Sequence, residues 1–372
     1  MPSFDDYEER YVDCSDCGNS INREYDDYET NHSDCGCCDT YTCSWCSTRA
    51  MRRRLAGELH SYGYKPRPYM PKGNFPDEVL MGVELEVGGD QYEIVNRVHE
   101  VDGDESHLYC KSDCSIHGAE IVTHPMTLKW AKESGLFPPM LAKLRADDCF
   151  VDKADCGDQS GERGNGCGEG RYCDHSYGLH IHVSRNAFRQ ARKRATRQPA
   201  SIPLNESYED SIKREMREMR REQKEQQAIN HQMIWLMFLE RNSDKLNGDV
   251  KLARRDSTRY GAFKKSTFDE LQRKSTDNPY FNDARYTAIN CQNEKTYELR
   301  FFKSTLDDEE FFAAIEFADA SVEFTRNLSA MDVLRNRGLE WSNFVNWVNA
   351  QEMDGVTKYP NLMSQINSLS LV

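Results

Sequence analysis

The chain has 372 residues, of which 38% are hydrophobic and 30% are charged. At ordinary domain sizes this length accommodates two or three domains with a modest core. The net charge of −14 argues against binding along a nucleic-acid backbone, which depends on Lys and Arg. The longest apolar run, Met233–Leu239, is too short to cross a membrane, and the acidic N-terminus lacks the pattern of a secretory signal. We therefore expect a cytoplasmic protein without membrane or nucleic-acid partners.

Residues 1–50 are acidic and rich in cysteine, and they are predicted to form a zinc-binding module. They contain three CxxC pairs, Cys14/Cys17, Cys35/Cys38 and Cys43/Cys46. Two thiolates at this spacing reach one tetrahedral zinc ion, and two such pairs complete a site. Because the residues offer no open ligand position, we expect structural Zn²⁺, as one or two ions, with docking of a protein partner as a compatible role.

The remaining chain is predicted to contain a linker, a large catalytic domain and a helical extension. The linker covers 51–78, the domain 79–326 with inserts at 146–175 and 186–230, and the extension 327–372. VLMGVELEV, AEIVTHP and YGLHIHVSR are predicted strands, and LKWAKESGLFPPMLAKLRA is predicted as one or two short helices. The insert 146–175 is rich in Gly and Cys and is predicted to be loop.

Two long helices and a hairpin complete the prediction. A helix is expected from about Glu206 to Arg241, with a charged half in solvent and an apolar half in the core. ARYTAINCQNEKTYELRFFKST is typical of a β-hairpin, and a helix over Asp307–Arg326 is predicted to follow, capped by Thr305 or Asp307. Strands and helices mix without a βαβ rhythm, which favours an α+β fold with a largely antiparallel sheet.

Four strand-like segments carry polar residues at i, i+2 spacing, which places both side chains on one face of a strand. The pairs are Glu84 and Glu86 in GVELEV, His180 and His182 in GLHIHV, Glu298 and Arg300 in YELRF, and Asp113 and Ser115 just before GAE. A strand with one face in water gives the same alternation, so a single pair indicates little. Four such pairs, each with apolar residues on the opposite face, favour a shared site.

The polar residues of these segments are those of a divalent-metal site. Pooled, they offer four carboxylates and one imidazole as ligands: Glu84, Glu86, Glu120, His180 and Glu298. Such an oxygen-rich set suits Mg²⁺ or Mn²⁺ better than zinc. Two ions together with Arg300 would form a clamp for a polyphosphate group.

The order of the motifs GVELEV, SDCSIHGAEIVTHP, YGLHIHVSR and RYTAIN…YELRFF resembles the amidoligases of phages and bacteria. That family belongs to the carboxylate–amine ligases with a glutamine-synthetase-like and glutamate–cysteine-ligase-like catalytic sheet. The resemblance covers about 79–325 and implies ATP-dependent activation of a carboxylate to an acyl phosphate, followed by attack of an amine. It also implies small-molecule or peptide carboxylate and amine substrates, and a location in the bacterial cytoplasm if a phage encodes the chain.

The resemblance implies roles for individual residues. Glu84, Glu86, Glu120, His180 and Glu298 would bind the metal, and His182 would contact phosphate. Arg300, with Arg285 nearby, would hold the substrate carboxylate or the transferred phosphoryl group, and Asp113 would position the amine or a metal. Arg185, Arg259 and Lys303 are further candidates for contacts with ATP or substrate.

Two alternatives remain open at this point. One is a metal-dependent hydrolase or transferase that uses the same carboxylate–histidine cluster without ATP. The other is a catalytically inactive, amidoligase-like binding or structural phage protein. The sequence retains every metal ligand that the resemblance implies, which favours an active enzyme.

Overall fold

The structure, a computed structural model, describes residues 11–14, 20–23, 26, 28–31, 40–44, 59–66, 69–73, 78–113, 116, 118–146, 149, 177–189, 208–246, 261–276, 287–326, 328–335, 338–353 and 355–367. The strands within these ranges are β1 Tyr11–Asp13, β2 Ser20–Asn22, β3 Tyr28–Asn31, β4 Thr40–Cys43, β5 Leu59–His60, β6 Leu80–Gly88, β7 Leu108–Lys111, β8 Gly118–Thr123, β9 Met126–Thr127, β10 Gly178–Ser184, β11 Ile289–Asn290, β12 Thr296–Lys303, β13 Glu352–Met353 and β14 Val356–Thr357. The helices are α1 Gln91–His99, α2 Leu128–Glu133, α3 Phe137–Ala146, α4 Tyr208–Arg241, α5 Phe268–Ser275, α6 Asp308–Arg326, α7 Ala330–Leu334, α8 Trp341–Asn349 and α9 Pro360–Asn367.

One open sheet of eight strands organises the described part of the chain. Its order is β11-β12-β10-β6-β8-β7-β5, and β9 also pairs with β6. Every pairing is antiparallel except that of β5 with β7, which is parallel. The predicted mixed α+β architecture with a mostly antiparallel sheet is confirmed.

Apolar and polar side chains alternate along the central strands β6 and β10. The apolar side chains therefore face the core, and the polar ones lie together on the opposite face of the sheet. Val83, Leu85 and Val87 of β6 are buried, as are Leu179 and Ile181 of β10. Burying each of these side chains stabilises the fold by about 1.5–3 kcal/mol. A shift of one residue would exchange the two faces, so the core fixes which side chains lie on the polar face.

The pairing of β10 with β12 contains a β-bulge. Leu179 lies opposite Phe302 and Ile181 lies opposite Leu299, so two steps on β10 match three steps on β12. The extra residue lets the consecutive Phe301 and Phe302 both enter the core, with ring centroids 4.3 Å apart. After the bulge Lys303 lies opposite Gly178, in line with the polar positions of β10.

The helix α6 is the main support of the core. Fourteen of its residues are buried, and it packs against α2, α3, α4, α8, α9 and β10. Both predicted caps contribute, because Asp307 Oδ1 accepts from Glu310 N at 3.0 Å and Thr305 Oγ1 accepts from Asp307 N at 3.1 Å. The predicted helix at this place is confirmed.

Most other predicted elements are confirmed where the structure describes them. LKWAKESGLFPPMLAKLRA forms the two helices α2 and α3, with Pro138 and Pro139 in the first turn of α3. Residues 212–224 of α4 are exposed, and its C-terminal part buries Trp235 and Phe238 completely. The C-terminal extension forms α7, α8 and α9 with a short hairpin, and Tyr359 OH donates to Asp319 Oδ2 of α6 at 2.7 Å.

Several elements were not predicted from the sequence, among them α1, β5 and β7, the helix α5 and the N-terminal strands β1–β4. Asp90 caps α1 by accepting from Tyr92 N at 2.8 Å and Glu93 N at 3.2 Å. The strand β5, within the predicted linker, pairs with β7 at the sheet edge. The limits of the predicted domains and of the inserts stay predictions.

Near the N-terminus, β1 pairs with β2 and β3 pairs with β4. A bridge between Cys14 and Tyr41 joins the two pairs, and Cys14 and Ile21 are buried between them. No helix in the described ranges is long and apolar enough to span a bilayer.

Candidate metal and anion site

The polar face of the sheet brings the predicted ligands together. His180 lies opposite Glu84 across β10 and β6, and Glu86 lies opposite Glu120 across β6 and β8. On the other side, His182 lies opposite Glu298 across β10 and β12. Directly opposite residues on a sheet have side chains within contact distance, so the register alone gathers the motifs into one cluster.

Glu84 is at the centre of this cluster. Its Oε1 lies 3.4 Å from His182 Nε2 and 3.8 Å from Lys111 Nζ, and its Oε2 lies 3.8 Å from His180 Nδ1. His180 Nδ1 is also 3.5 Å from Glu298 Oε1. Within this cluster, two groups of ligand atoms have all their members within 4.8 Å of one another: Glu84 with Glu120 and His180, and Glu84 with His182 and Glu298. Glu84 belongs to both groups and could bridge two ions.

The chemistry of the donors fits a divalent cation. Each group combines two carboxylates with one imidazole, a set suited to Mn²⁺ or Mg²⁺. Glu120 Oε2 and His182 Nε2 are buried, and neither makes a well-directed hydrogen bond within the described residues. Each does lie near an opposite charge, Lys111 Nζ and Glu84 Oε1 respectively. Buried polar atoms without directed partners are costly, and metal coordination would satisfy both.

Glu86, also a predicted ligand, makes contacts that differ from those of Glu84. Its Oε2 accepts a hydrogen bond from the backbone N–H of Gly178, and its backbone carbonyl accepts from Ser304 Oγ at 2.6 Å. Its Oε1 lies 3.6 Å from His180 Nε2. Neither candidate group includes Glu86. This carboxylate therefore lies beside His180 and is held by Gly178, outside the two groups of ligand atoms around Glu84.

The charges of the cluster shift one another's protonation. Burial raises the pKa of Glu84, but His182, His180 and Lys111 together hold it well below its usual range. Burial and the neighbouring Glu84 raise the pKa of Glu120 to about 8. Burial lowers the pKa of His182, and Glu84 outweighs it, giving about 8. Such opposed shifts within one cluster are characteristic of functional sites.

Two cationic side chains flank the carboxylates. At one end Lys111 Nζ lies 2.8 Å from Glu120 Oε2, and at the other Arg300 Nη1 contacts Glu298 Oε1. Burial lowers the pKa of Lys111, but Glu84 and Glu120 raise it above its usual value, so the ammonium stays charged. The burial of Glu298 raises its pKa, and His180, His182 and Arg300 outweigh that effect. The site is therefore a carboxylate–imidazole centre between two cations.

Other predicted residues lie at the margin of this cluster. Lys303 is on the polar side of β12 because of the bulge, and its Nζ pairs with Glu310 Oε1 at 2.8 Å. Asp113 follows β7 in the turn to β8, where its carbonyl accepts from Ile116 N, and neither candidate group includes it. The structure thus brings neither residue among the ligand atoms.

The position of Arg185 gives no support to a role in nucleotide contact. Its guanidinium is buried and donates to Tyr297 OH and to the backbone carbonyls of Lys274, Thr276, Cys291 and Asn293 at 2.8–3.4 Å. It also lies over the Tyr297 ring, 4.1 Å from the centroid. These contacts tie the C-terminal end of α5 and the connection between β11 and β12 to the residue that follows β10, which is a structural role.

Some predicted residues lie outside the described ranges. They are Arg259, Arg285, Ser115, Cys17, Cys35, Cys38 and Cys46. Of the predicted zinc ligands, Cys14 and Cys43 are described, and Cys43 N donates to Cys14 Sγ at 3.4 Å. The fold therefore brings Cys14 of the first predicted pair next to Cys43 of the third.

Sequence reasoning missed two members of the site, Lys111 and Asn290. Asn290 Nδ2 donates to Glu298 Oε2 at 2.8 Å and so holds that carboxylate from the edge strand. Lys111 ends the run HLYCK directly before the Asp113 motif. The available signal was its i, i+2 spacing from Tyr109, which places both side chains on one face of a strand. Because β7 was not predicted, Lys111 was not placed on a strand beside the other site residues.

A comparison of the sequence with models of known protein families finds no match, and no curated protein matches the chain either.

Proposed function

We propose that the chain is an ATP-dependent carboxylate–amine ligase of the amidoligase type, with a catalytic sheet of the glutamine-synthetase-like kind. The observation that supports this most directly is the gathering of Glu84, Glu120, His180, His182 and Glu298 around one point of an antiparallel sheet. The motif order of the sequence resembles that family, and the fold places the same motifs on adjacent strands.

The reaction requires two group transfers. An oxygen of the substrate carboxylate attacks the γ-phosphorus of ATP, the bond to ADP breaks, and an acyl phosphate forms. The amine nitrogen then attacks the acyl carbon, inorganic phosphate leaves with its bonding electrons, and the nitrogen loses a proton to water. Bound Mg²⁺ or Mn²⁺ would neutralise charge on the phosphate oxygens and so favour both steps.

The residues of the chain supply orientation and charge. Glu84 would hold both ions at a fixed separation because it belongs to both ligand groups. Arg300, on the side of Glu298, is suited to a carboxylate because its planar guanidinium makes paired hydrogen bonds. Glu86 and Asn290 would fix the orientation of His180 and Glu298, respectively. Preorganised charge of this kind is the main contribution that proteins make to phosphoryl transfer.

The test is the trapping of the acyl phosphate. Purified protein is incubated with ATP, Mg²⁺, hydroxylamine and a panel of amino acids and short peptides as carboxylates. Hydroxylamine attacks an acyl phosphate as a general amine, so a ligase forms a hydroxamate and an equal amount of ADP. We expect this product with the wild type and none with Glu84→Gln or Arg300→Ala. The matched control is Arg97→Ala, which removes an exposed cation paired with Glu100.

Other outcomes select the alternatives. Metal-dependent cleavage of a phosphoester or amide without consumption of ATP would indicate a hydrolase that uses the same cluster. Tight binding of metal with no turnover of any kind would indicate a binding protein. Equal hydroxamate formation by the wild type and both site variants would refute the assignment of the site.

We further propose that residues 1–50 form a structural zinc module. The support is ligand spacing in the sequence and the contact of Cys43 N with Cys14 Sγ. Native mass spectrometry should show one or two zinc ions that are lost in Cys14→Ala/Cys43→Ala protein. Full occupancy in that double variant would contradict the proposal.

A further inference from the structure

Lys111 occupies an unusual position for a lysine. It is only 8% exposed, although lysine side chains are rarely buried without a specific partner. Its ammonium lies 2.8 Å from Glu120 Oε2 and 3.8 Å from Glu84 Oε1. The ring of Tyr62 covers it from the other side, with the centroid 5.8 Å away. The cation is thus held directly against two candidate metal ligands.

Those two carboxylates cannot serve Lys111 and a metal ion equally well. Glu84 and Glu120 belong, with His180, to one candidate group whose ligand atoms lie within 4.8 Å of one another. An ion bound there would lie a few ångströms from the ammonium, and two cations at that distance repel. Lys111 is the last residue of the strand β7, so its backbone is held by the sheet beside these carboxylates.

We propose that Lys111 competes with a divalent cation for Glu84 and Glu120, and that it binds the polyphosphate of the nucleotide once the metal holds those carboxylates. This inference rests on the proposed function for the identity of the nucleotide. Lysine is a compact, strongly charged phosphate binder, and phosphate oxygens are the anions that approach such metals. When the metal binds Glu84 and Glu120, Lys111 loses its anionic partners, and a bound polyphosphate would replace them.

The positions of the two cationic side chains also indicate how the nucleotide and the substrate carboxylate are oriented in the site. Lys111 on β7 and Arg300 on β12 are separated by four strand spacings, about 19 Å between backbones. Lys111 contacts carboxylates of β6 and β8, and Arg300 contacts Glu298 of its own strand, so two anionic groups can bind at separate ends. The flexible point charge of Lys111 suits phosphate, and the planar fork of Arg300 suits a carboxylate. The triphosphate therefore lies toward β7, and the substrate carboxylate lies toward β12.

The experiment measures two affinities that do not require turnover. Mn²⁺ binding and the binding of tripolyphosphate in saturating Mn²⁺ are measured by calorimetry on the full chain, purified with zinc and then exchanged into buffer without other divalent metal. We expect Lys111→Met to tighten Mn²⁺ binding about fivefold and to weaken tripolyphosphate binding at least about tenfold. Lys111→Arg keeps the charge and should stay within about threefold of the wild type in both. Lys143→Met, which removes an exposed lysine paired with Glu100, is the matched control.

Changes in opposite directions distinguish this role from a structural one. A lysine that only supported the fold would weaken both affinities on removal, and that result would overturn the proposal. Unchanged tripolyphosphate binding in Lys111→Met would overturn it as well. If Lys111→Met does not fold, Lys111→Gln repeats the test, and loss of tripolyphosphate binding in the charge-retaining Lys111→Arg would count against it. If both affinities change as expected but no hydroxamate forms, the inference about Lys111 stands and the ligase reaction is rejected.

Discussion

The two carboxylates of β6 are two residues apart on the same face, yet they should differ sharply in their effect on metal binding. Glu84 belongs to both candidate groups, whereas Glu86 belongs to neither and accepts the N–H of Gly178. We therefore expect Glu84→Gln to abolish most Mn²⁺ affinity and Glu86→Gln to have a smaller effect. Both changes preserve shape and remove one charge, so each is the matched control of the other.

The magnitude follows from Coulomb's law. A unit charge about 4 Å from a divalent ion contributes about 8 kcal/mol at an effective dielectric constant of about 20. Most of this energy is offset by water, by the retained amide oxygen of Gln, and by the release of His182 and Lys111 from Glu84. If a third remains, Mn²⁺ affinity falls by roughly 100-fold, about 2.7 kcal/mol. Loss of the orienting carboxylate Glu86 should cost about tenfold.

The measurement is a Mn²⁺ titration followed by electron paramagnetic resonance, with circular dichroism to confirm that both variants are folded. The reasoning fails if Glu86→Gln loses as much affinity as Glu84→Gln, or more. It also fails if neither variant changes Mn²⁺ binding, because the cluster would then not be a metal site.

Three further predictions concern stability. Arg185→Met should lower the free energy of unfolding by about 3 kcal/mol in urea, since buried carbonyls lose their donor, whereas the exposed Arg189→Met should change little. Burial, with Arg326 nearby, lowers the pKa of His231 from 6.5 to about 4, so the unfolded chain binds a proton that the folded protein excludes. Stability should thus fall by up to about 3 kcal/mol as pH decreases from 6.5 to 4, and His231→Gln, compared by thermal unfolding, should flatten that slope. Gly118→Ala places a Cβ 1.8 Å from Val87 O and should separate β6 from β8 with loss of Mn²⁺ binding, whereas Gly63→Ala, with open space around it, should not; equal melting temperatures would refute this.

The strands that bear the site could be predicted because their chemistry repeats with the period of a strand. In β6 and β10, apolar residues at every second position demand a core on one side, and the intervening Glu84 and His180 must then share the other. The sequence could not give the strand order, because that depends on pairings between distant segments. It therefore could not show that Glu84 lies centrally and Glu86 does not.

The missed elements have physical reasons as well. The strand β7 is four residues long and buried throughout, so it shows no alternation, and Lys111 looked like an isolated charge. The contacts of Arg185 could not be predicted for a related reason: a basic residue after a strand is equally suited to a ligand and to backbone carbonyls. Only the positions of Lys274 and Cys291, far away in the sequence, decide between them.

The bulge in β12 has a consequence for recognising relatives of this chain. Glu298, Arg300 and Lys303 share the polar side although their spacings are two and three, because one phenylalanine is additional. A chain lacking Phe302 would have an unbulged strand, with Glu, Arg and Lys at spacings of two and two on the same side. It would lose one buried ring and part of the local bend while keeping every charge in place. A search pattern with fixed intervals would reject such a chain, whereas one that tolerates a single extra aromatic residue between the Arg and the Lys would find both forms.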